Sequence, residues 1–564
     1  MTVAEYIVKF LIYQNVTDAY GVPGGVILEL IYAMEKYKDE LMPHLNYSEQ
    51  TAGFAACGYA QASGRLGVAY ATRGPGISNM VTCMAEAYQE SIPVLFVTAH
   101  GNRKDKTNSP MRFQYNQELD LSESVSEFTK FTCTVDSVCS VPEVLREAYV
   151  SAMSGRKGPV FLDFSSTLLK QEVDLGSIEF LSKVDLRRES LELHALMGNL
   201  HEALLCAKHP VCLIGDGIRQ ADVGERITDL DKLRIPILSS RGAQDIAIRS
   251  EYYFGYIGSH GIRYSNFILS KADLIVAVGN RLAFPMNSKS FQPIRNSVKI
   301  IRMDIDDAEF QKEFPLSTNY VIDLYNFFDA LETLQEVYPS HKCWVNTCYI
   351  IKEKLDRCDI TEPVKKIGAV LEACREKNMC FVTDVGNNEF WMARAFEYVR
   401  PKGLFICSKS FGTLGSALGR AIGIYYATHR PIICTIGDQG FQCNIQELQF
   451  ISQWRLPVTI LLLNNSCSGM IRDQESKSYK TYVHVSCENG YCVPDFSLIA
   501  KGYGIKFVRN YEDWENSNYE KEPLIYEIQV DSEIMLSPSL PKGNSLQRMD
   551  PPIEEALYLD LNKM

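Results

Sequence analysis

The sequence predicts an α/β protein made of three consecutive doubly wound parallel-sheet domains. The chain has 564 residues, which is too long for a single hydrophobic core. Short β-branched runs alternate with longer helical patterns, as in parallel sheets covered by helices. The alternation occurs three times, and polar stretches at 171–191 and 338–361 separate the repeats as predicted linkers. We therefore expect domains at 1–170, 190–338 and 360–535, and a tail at 536–564.

Each predicted domain contains several strands that are recognisable as apolar runs. The first begins with an amphipathic helix, apolar at Val3, Ile7, Phe10 and Leu11. It also contains a helix near 79–90 and strands at 67–71, 94–98 and 159–163. The second has strands at 210–214, 235–238, 274–278 and 298–302. The third has strands at 380–383, 432–436, 458–463 and 524–528.

Composition excludes several functional classes. The 57 basic and 69 acidic residues give a net charge of −12, and no long basic cluster occurs, so nucleic acids and anionic membranes are poor partners. No apolar run approaches the roughly 18 residues that cross a bilayer. The 17 cysteines are odd in number and never spaced as CxxC, which favours free thiols in a reducing cytoplasm over a disulfide framework or zinc site.

The most informative stretch lies in the third domain. Asp438 directly follows an apolar strand, and Asn465 ends the next one 27 residues later. Neighbouring parallel strands would bring both oxygens to the same sheet edge, where open α/β sheets bind ligands and where Mg²⁺ finds suitable donors. A helix predicted to start near Asn444 would aim its first amides at a phosphate there. The alternative is that Gly437-Asp438 makes a turn and Asn465 caps a helix.

Gly437-Asp438 followed by Asn464-Asn465 resembles the diphosphate- and metal-binding motif of thiamine-diphosphate (ThDP) enzymes. Further blocks resemble their acetolactate-synthase-like branch in the same order. They are 21–25 (GVPGG), 48–60 (SEQ, AGFAA and GYA), 71–76 (ATRGPG) with Asn79, 112–114 (RFQ), 385–391 (VGNN and Trp391) and 412–423. The middle domain matches more loosely, at 258–261, 279–281 and 304–306. The resemblance implies pyrimidine-binding, central and diphosphate-binding domains.

The resemblance also assigns roles to particular residues. Glu49 would be catalytic: its carboxyl, with a pKa raised by burial, would bind the aminopyrimidine ring. Mg²⁺ would be held by Asp438, Asn465 and the carbonyl of Cys467. Leu414 would support the bent cofactor; the alternative is an ordinary core leucine. The implied cofactor-binding residues are Pro23, Gly24, Gly25, Gly74, Asn79, Val385, Gly386, Asn387, Asn388, Gly412, Thr413, Leu414, Gly437, Asp438, Gln439, Gly440, Asn465, Gly469 and Met470.

Several positions depart from the family pattern. Gln439 stands where glycine is usual, and Ser48 replaces a histidine. Gln474 occupies the place of a tryptophan that shapes the second-substrate pocket, so branched-chain amino-acid synthesis does not follow, and a role in surface-sugar or secondary metabolism competes with it. Candidate substrate residues are Arg73, His100, Phe113, Gln114 and Gln474. His100 could equally be a core histidine, and Arg73 could face outward.

The sequence thus predicts a cytoplasmic enzyme that decarboxylates a pyruvate-like 2-oxo acid and joins the product to a second carbonyl compound. The alternatives are a non-ligating decarboxylase and a non-catalytic scaffold relative. The resemblance implies a homodimer or homotetramer with its active site between subunits. Whether FAD is bound stays open, because the GSHG and GNR matches favour FAD binding whereas the middle domain has no GxGxxG motif.

Overall fold

Three parallel sheets of six strands each form the protein. The computed structural model describes residues 1–101, 116–117, 119–173, 190–283, 286, 288–333, 338, 340–358, 360–408 and 410–564. Helices flank each sheet, so the predicted α/β class with three doubly wound sheets is confirmed. Within the described part of the chain, no helix is long and apolar enough to cross a bilayer.

The N-terminal unit holds the first sheet. Its strands are β1 (Asp18–Gly21), β2 (Met42–Leu45), β3 (Gly67–Tyr70), β4 (Val94–His100), β5 (Phe131–Val135) and β6 (Val160–Ser165). Its helices are α1 (Val3–Tyr13), α2 (Leu28–Lys36), α3 (Glu49–Ser63), α4 (Pro75–Ser78), α5 (Val81–Glu90), α6 (Ser122–Val125) and α7 (Val141–Met153). The predicted N-terminal helix is α1, which begins with a capping box between Thr2 and Glu5.

The middle unit holds the second sheet. Its strands are β7 (Pro210–Ile214), β8 (Ile237–Ser239), β9 (Tyr253–Tyr256), β10 (Leu274–Val278), β11 (Lys299–Asp304) and β12 (Ser317–Val321). Its helices are α8 (Leu193–Cys206), α9 (Gly217–Gln220), α10 (Gln244–Ala247), α11 (Arg263–Ser270), α12 (Gln292–Ser297), α13 (Leu324–Thr333) and α14 (Lys342–Leu355).

The C-terminal unit holds the third sheet. Its strands are β13 (Met379–Thr383), β14 (Gly403–Ile406), β15 (Ile432–Gly437), β16 (Val458–Asn464), β17 (Lys506–Val508) and β18 (Leu524–Gln529). Its helices are α15 (Glu362–Cys374), α16 (Asn387–Val399), α17 (Ala417–Thr428), α18 (Asp438–Cys443), α19 (Leu448–Gln453), α20 (Gly469–Ser478), α21 (Phe496–Gly502) and α22 (Tyr511–Glu515), and α23 (Glu555–Lys563) ends the tail.

The first and third sheets share one topology. Their orders, β2-β1-β3-β4-β6-β5 and β14-β13-β15-β16-β18-β17, are identical when each unit is counted from its own first strand. The middle sheet, β12-β11-β10-β7-β8-β9, instead has the order of dinucleotide-binding folds. In such sheets a ligand crevice opens where the strand order reverses. For the third sheet that point lies between β13 and β15.

The structure corrects one predicted linker and adds strands that the sequence patterns missed. Residues 342–355, within the predicted linker 338–361, form helix α14, and Trp344 donates a hydrogen bond to the carbonyl of Pro210 in the middle sheet (3.0 Å). Most of the other linker, 174–189, lies outside the described residues. Several missed strands, including β5, β12 and β17, lie at sheet edges and are partly exposed, so they lack an apolar run.

Helices α3 and α17 join the N-terminal and C-terminal units through unusually close backbone packing. A Cβ atom on Gly423 would lie 1.8 Å from the carbonyl oxygen of Ala55, and one on Gly58 would lie 2.4 Å from that of Arg420. Every residue from Thr51 to Gln61 is buried. Glycine is therefore required at this crossing because any side chain would force the two helices apart.

Polar groups reinforce the same interface. Arg420 is fully buried and pairs with Glu86 and, at 3.6 Å, with Glu90, both on α5. The carboxylate of Glu447 accepts hydrogen bonds from the backbone N–H of Tyr47 (2.9 Å) and the side-chain amide of Asn46 (3.2 Å). Burial raises the pKa of Glu447 to about 7.

We predict that Gly423→Ala weakens the joint between the two units. The added methyl group collides with Ala55, so the free energy of unfolding should fall by about 1–3 kcal/mol or more. Gly368→Ala on α15 is the matched control: its nearest contact would be at 4.0 Å, and it should be neutral or stabilise by about 0.5–1 kcal/mol. Equal thermal unfolding midpoints for the two variants would contradict this account.

We predict that Glu447 makes the protein less stable as pH rises. Its folded-state pKa, about 7, lies above the ordinary value of 4.5. The folded state therefore holds the proton more tightly, and this contribution to stability is lost between these two values as pH increases. In Glu447→Gln, the difference in unfolding midpoint between about pH 5 and about pH 8 should shrink. Asn46 Oδ1, which has no hydrogen-bond partner in the described part of the chain, can turn toward the new amide. An unchanged difference would refute the assignment.

Candidate active site

Asp438 lies at the carboxyl end of β15, beside the point where the strand order reverses. A helical stretch does begin at Asn444, as predicted, with a 3-10 turn over Ile445–Glu447 that continues into α19, but a separate helix, α18, already begins at Asp438. One carboxylate oxygen, Oδ1, accepts the backbone N–H of Gln439 (2.9 Å). The other, Oδ2, is buried and has no hydrogen-bond partner among the described residues, although the hydroxyl of Tyr491 lies beside it. Burial raises the pKa of Asp438 to about 6.

Asn465 follows the neighbouring strand β16, and β15 and β16 pair as far as Gly437 and Leu463. Its side-chain oxygen accepts the backbone N–H of Cys467 at 3.4 Å. Ser468 donates a hydrogen bond to the side-chain oxygen of Gln439 (2.9 Å). The segment after Asn465 is thereby tied to the segment after Gly437, as the strand order predicts.

The Val385–Asn388 segment follows β13 on the other side of the crevice. Gly386 has φ +119°, a conformation that favours glycine, and it precedes the first residue of α16. Asn388 donates to the carbonyls of Asp384 and Thr435 (2.9 and 3.2 Å), so it joins β13 to β15. Asn387 donates to Asp473 (3.3 Å), while its own buried Oδ1 has no partner among the described residues.

The turn before α17 carries Gly412, Thr413 and Leu414. Leu414 is 36% exposed, so it is not an ordinary core leucine in this chain. The turn needs glycine at 415, where φ is +83° and a Cβ would lie 2.4 Å from that of Cys443. The hydroxyl of Thr413 is buried without a partner among the described residues.

Asp384, which the sequence analysis did not single out, lies beneath this turn. Its fully buried carboxylate accepts the backbone N–H groups of Gly415 (2.9 Å) and Ala417 (3.1 Å). A Cβ on Gly440 would lie 2.2 Å from its Oδ2, so Asp384 also contacts the Asp438 segment. Burial raises the pKa of Asp384 to about 7. The signal for it was available, because Asp384 follows an apolar strand as Asp438 does.

The polar atoms around the crevice fit a metal-bound diphosphate. Buried polar atoms normally have hydrogen-bond partners, yet Asp438 Oδ2, Asn387 Oδ1 and Thr413 Oγ1 have none in the described structure. A carboxylate and amide oxygens are the ligands that Mg²⁺ prefers. A hydroxyl group, in turn, can donate a hydrogen bond to a phosphate oxygen.

Glu49 is the first residue of α3. Its Oε2 accepts a hydrogen bond from the amide of Asn79 (3.0 Å), and its Oε1 is 3.4 Å from where a Cβ on Gly76 would lie. The carboxyl group therefore lies over the turn that contains Gly74. Glu49 is half-buried in the single chain, so the full burial expected of it is not reached within one chain. Gly24 packs closely against Thr72, since a Cβ added to Gly24 would lie 2.3 Å from the Cβ of Thr72. The 23–25 turn therefore lies at the same sheet edge.

Asn444 connects the start of α3 to the Leu414 turn. Its side-chain oxygen accepts the hydroxyl of Thr51 (2.9 Å), and its amide donates to the carbonyl of Gly415 (3.0 Å). The amide also lies 3.5 Å from the side-chain oxygen of Gln50. Glu49 and Leu414 are thus each next to a residue that Asn444 contacts.

A cavity of about 1280 Å³ runs from the middle unit to this crevice. Its middle-unit wall includes Gly215, Asp216, Gly279 and Asp304, which follow β7 and β10 or end β11. At the other end it is lined by predicted cofactor and substrate residues, namely Val385, Asn387, Gly412, Met470 and Gln474. These five positions, scattered in sequence, share one cavity.

The other predicted substrate residues lie at the edge of the first sheet or cannot be placed. Both ring nitrogens of His100 contact carboxylates, those of Asp163 and Asp136 at 2.9 Å each, and its side chain is buried. Arg73 donates to the carbonyl of Asn116 (2.7 Å) and lies across Gly101. His100 is thus a buried histidine whose two ring nitrogens both have hydrogen-bond partners, as in the core-histidine alternative. Phe113 and Gln114 lie outside the described residues.

Comparison with known proteins identifies the class. Models of the thiamine pyrophosphate enzymes match three segments: the N-terminal TPP binding domain at residues 1–124, the central domain at 198–331 and the C-terminal TPP binding domain at 384–520. The three-domain chain therefore belongs to the thiamine pyrophosphate enzymes.

Full-length relatives narrow the class. A probable acetolactate synthase large subunit of Methanococcus aeolicus is 30% identical over 98% of this chain and 94% of its own length. The acetolactate synthase isozyme 1 large subunit of Escherichia coli K12 is 30% identical, with 96% of both chains covered. The probable large subunit of Methanocaldococcus jannaschii is 29% identical over 100% of this chain and 98% of its own. The chain belongs to the acetolactate-synthase-like thiamine-diphosphate enzymes.

We predict that Asp438→Asn impairs cofactor binding without impairing folding. The asparagine keeps the size and the acceptor for the Gln439 amide but cannot supply a charged metal ligand. ThDP affinity in the presence of Mg²⁺ should fall at least about tenfold, that is by about 1.4 kcal/mol. Isothermal titration calorimetry measures this loss.

Asp304→Asn is the matched control for this substitution. Asp304 also ends a strand, and burial also raises its pKa to about 6, but it belongs to the middle sheet. Its variant should keep the wild-type ThDP affinity. Equal losses in the two variants would show that Asp438 has no special role.

Proposed function

We propose that this protein decarboxylates a pyruvate-like 2-oxo acid with ThDP and Mg²⁺ and transfers the remaining fragment to a second carbonyl compound. One observation carries the proposal. A single residue, Asn444, joins the helix that begins at Glu49 to the turn that carries Leu414, and the crevice has three buried polar atoms with no partner among the described residues. The relatives named acetolactate synthase support the same reaction class.

The chain's own residues would divide the work of holding the cofactor. Asp438, Asn465 and the carbonyl of Cys467 would hold Mg²⁺ against the diphosphate. Thr413 would donate its hydroxyl to a diphosphate oxygen, and Gly412 and Asn387 would line the same site. When bound, the cofactor supplies an electron sink for the carbanion that decarboxylation leaves. The protein contributes position and electrostatics, and the crevice atoms that have no partner among the described residues are preorganised to contact the cofactor.

Leu414 and Glu49 would act at the other end of the cofactor. Leu414 presents an exposed apolar side chain on which the cofactor would lean. Glu49 would hold a proton at the aminopyrimidine ring nitrogen, and Asn79 orients its carboxyl group through the 3.0 Å hydrogen bond. A positioned carboxyl group of this kind is a general acid–base catalyst.

We predict that Glu49→Gln abolishes turnover but leaves folding and ThDP binding largely intact. Glutamine keeps the shape and the contact with Asn79, yet it cannot exchange a proton. Turnover of pyruvate should fall at least about a hundredfold, while the affinity for ThDP measured by calorimetry changes little. Asn79→Ala is the companion variant, which should lose part of the activity because it frees the carboxyl group. Full activity in Glu49→Gln would refute the mechanism.

Carboligation is favoured over simple decarboxylation by the relatives, which are named acetolactate synthases. Gln474, whose counterpart in acetolactate synthases is expected to be tryptophan, lines the cavity with Met470. Its amide can donate and accept hydrogen bonds, which favours an acceptor with polar groups at this position.

The substrates can be identified directly. Wild-type protein with ThDP and Mg²⁺ is incubated with pyruvate or other 2-oxo acids, alone and with aldehyde or ketone acceptors, and the products are analysed by mass spectrometry. A carboligation product supports the proposal. Carbon dioxide with the free aldehyde alone indicates the non-ligating decarboxylase. No product and no ThDP binding would indicate the scaffold alternative.

FAD and self-association belong to the same proposal. The middle sheet has the strand order of dinucleotide-binding folds, and the cavity opens beside the end of β7, where that order reverses. Flavin absorbance in purified protein would support FAD, and a colourless protein would count against it. The half-buried Glu49 and exposed Leu414 leave room for a second subunit to cover the cleft. Sedimentation velocity tests for the dimer or tetramer.

A further inference from the structure

The loop between β14 and α17 is held by a carboxylate from a different unit. We name residues 408 and 410–416 the anchor loop. Glu90 is the last residue of α5 in the N-terminal unit, and its side chain is fully buried. Its Oε1 accepts hydrogen bonds from the hydroxyl of Ser408 (2.9 Å) and the backbone N–H of Ser410 (3.2 Å). Each of these contacts joins residues that are far apart in sequence, by 318 residues for Ser408 and 320 for Ser410.

Hydrogen bonds connect Glu90, through Ser408, to the residues that would bind the diphosphate. The hydroxyl of Ser408 donates to Glu90 and in turn accepts the backbone N–H of Gly412 (3.0 Å). The backbone N–H of Phe411 also faces Glu90 Oε1, at 3.5 Å. Hydrogen bonds to a buried carboxylate are among the stronger ones in proteins. The first half of the anchor loop therefore takes its position from Glu90.

The second half of the anchor loop takes its position from Asp384, which accepts the N–H groups of Gly415 and Ala417. Leu414 lies between the two held segments. Two buried carboxylates, one from each unit, thus place Leu414 and the adjacent Gly412 and Thr413.

Glu90 also belongs to the interface between the units. Its second oxygen, Oε2, faces Arg420 at 3.6 Å, and Arg420 is paired more closely with Glu86. Glu86 lies one helical turn before Glu90 and is equally buried. Among the described residues, Glu86 has no hydrogen bond to the anchor loop. The two glutamates therefore share Arg420 but differ in their contact with the loop.

We propose that Glu90 is a positioning residue for the cofactor: it sets the diphosphate-binding backbone and Leu414 from the N-terminal unit, so that docking of the two units and cofactor binding are coupled. The proposal rests on the function proposed above, because it takes the anchor loop to be the diphosphate-binding segment. It does not make Glu90 catalytic, since Glu90 acts through Ser408 and the loop amides.

The test compares Glu90→Ala with Glu86→Ala in the full-length protein. Each variant leaves Arg420 with one carboxylate fewer, so both unfolding midpoints should fall. Glu90→Ala should weaken ThDP binding at least about tenfold, as measured by calorimetry. The ThDP affinity of Glu86→Ala should stay within about threefold of wild type. In the cofactor-free protein, hydrogen exchange of the peptide that covers 410–417 should be faster in Glu90→Ala only.

Two milder variants keep the proposal testable if an alanine variant does not fold. Glu90→Gln retains an oxygen for the Ser410 amide and should show an intermediate loss of ThDP affinity. Ser408→Ala removes the link to Gly412 and should also weaken binding. Equal ThDP affinity and equal loop exchange in the Glu90 and Glu86 variants would overturn the proposal. If wild-type protein does not bind ThDP at all, the proposed function fails, whereas the exchange comparison still decides whether Glu90 holds the loop.

Discussion

The close crossing of α3 and α17 is the constraint on which the rest of the structure depends. The two helices touch backbone to backbone at Gly58 and Gly423, so their separation is set by glycine rather than by adaptable side chains. Because α3 begins at Glu49 and α17 directly follows the Leu414 turn, this contact also fixes these two segments of the chain relative to each other. Asn444 then joins both helix starts by hydrogen bonds.

The shared strand order of the outer sheets explains why residues so distant in sequence converge. In the third sheet, Asp384 and Asp438 follow the two strands that flank the reversal of strand order. In the first sheet, the 23–25 turn and the Gly74 turn follow the two equivalent strands, and Glu49 reaches over the latter. The middle sheet has its own reversal, beside which the cavity opens. Each part of the proposed chemistry thus occupies a place that parallel sheets provide for ligands.

The crevice contains buried carboxyl groups that differ in how they are bonded. Burial raises the pKa of Asp384 to about 7 and that of Asp438 to about 6, because ionising these groups within the folded chain is unfavourable. Such groups cost stability unless they are bonded. Asp384 and Glu90 are bonded to loop amides, whereas Asp438 keeps one oxygen without a partner among the described residues. This difference separates residues that shape the site from one available to a metal.

The sequence by itself predicted the three-sheet class, most central strands and the strand-end residues Asp438 and Asn465, because apolar runs and strand-end polar residues are local patterns, whereas Glu49 was predicted from the resemblance to ThDP enzymes. It missed exposed edge strands, the helix at 342–355 and the start of α18. Only the tertiary structure decided that Glu90 holds the anchor loop, that His100 is bonded on both ring nitrogens, and that Leu414 is exposed. These facts depend on contacts between residues far apart in the chain, which no local pattern encodes.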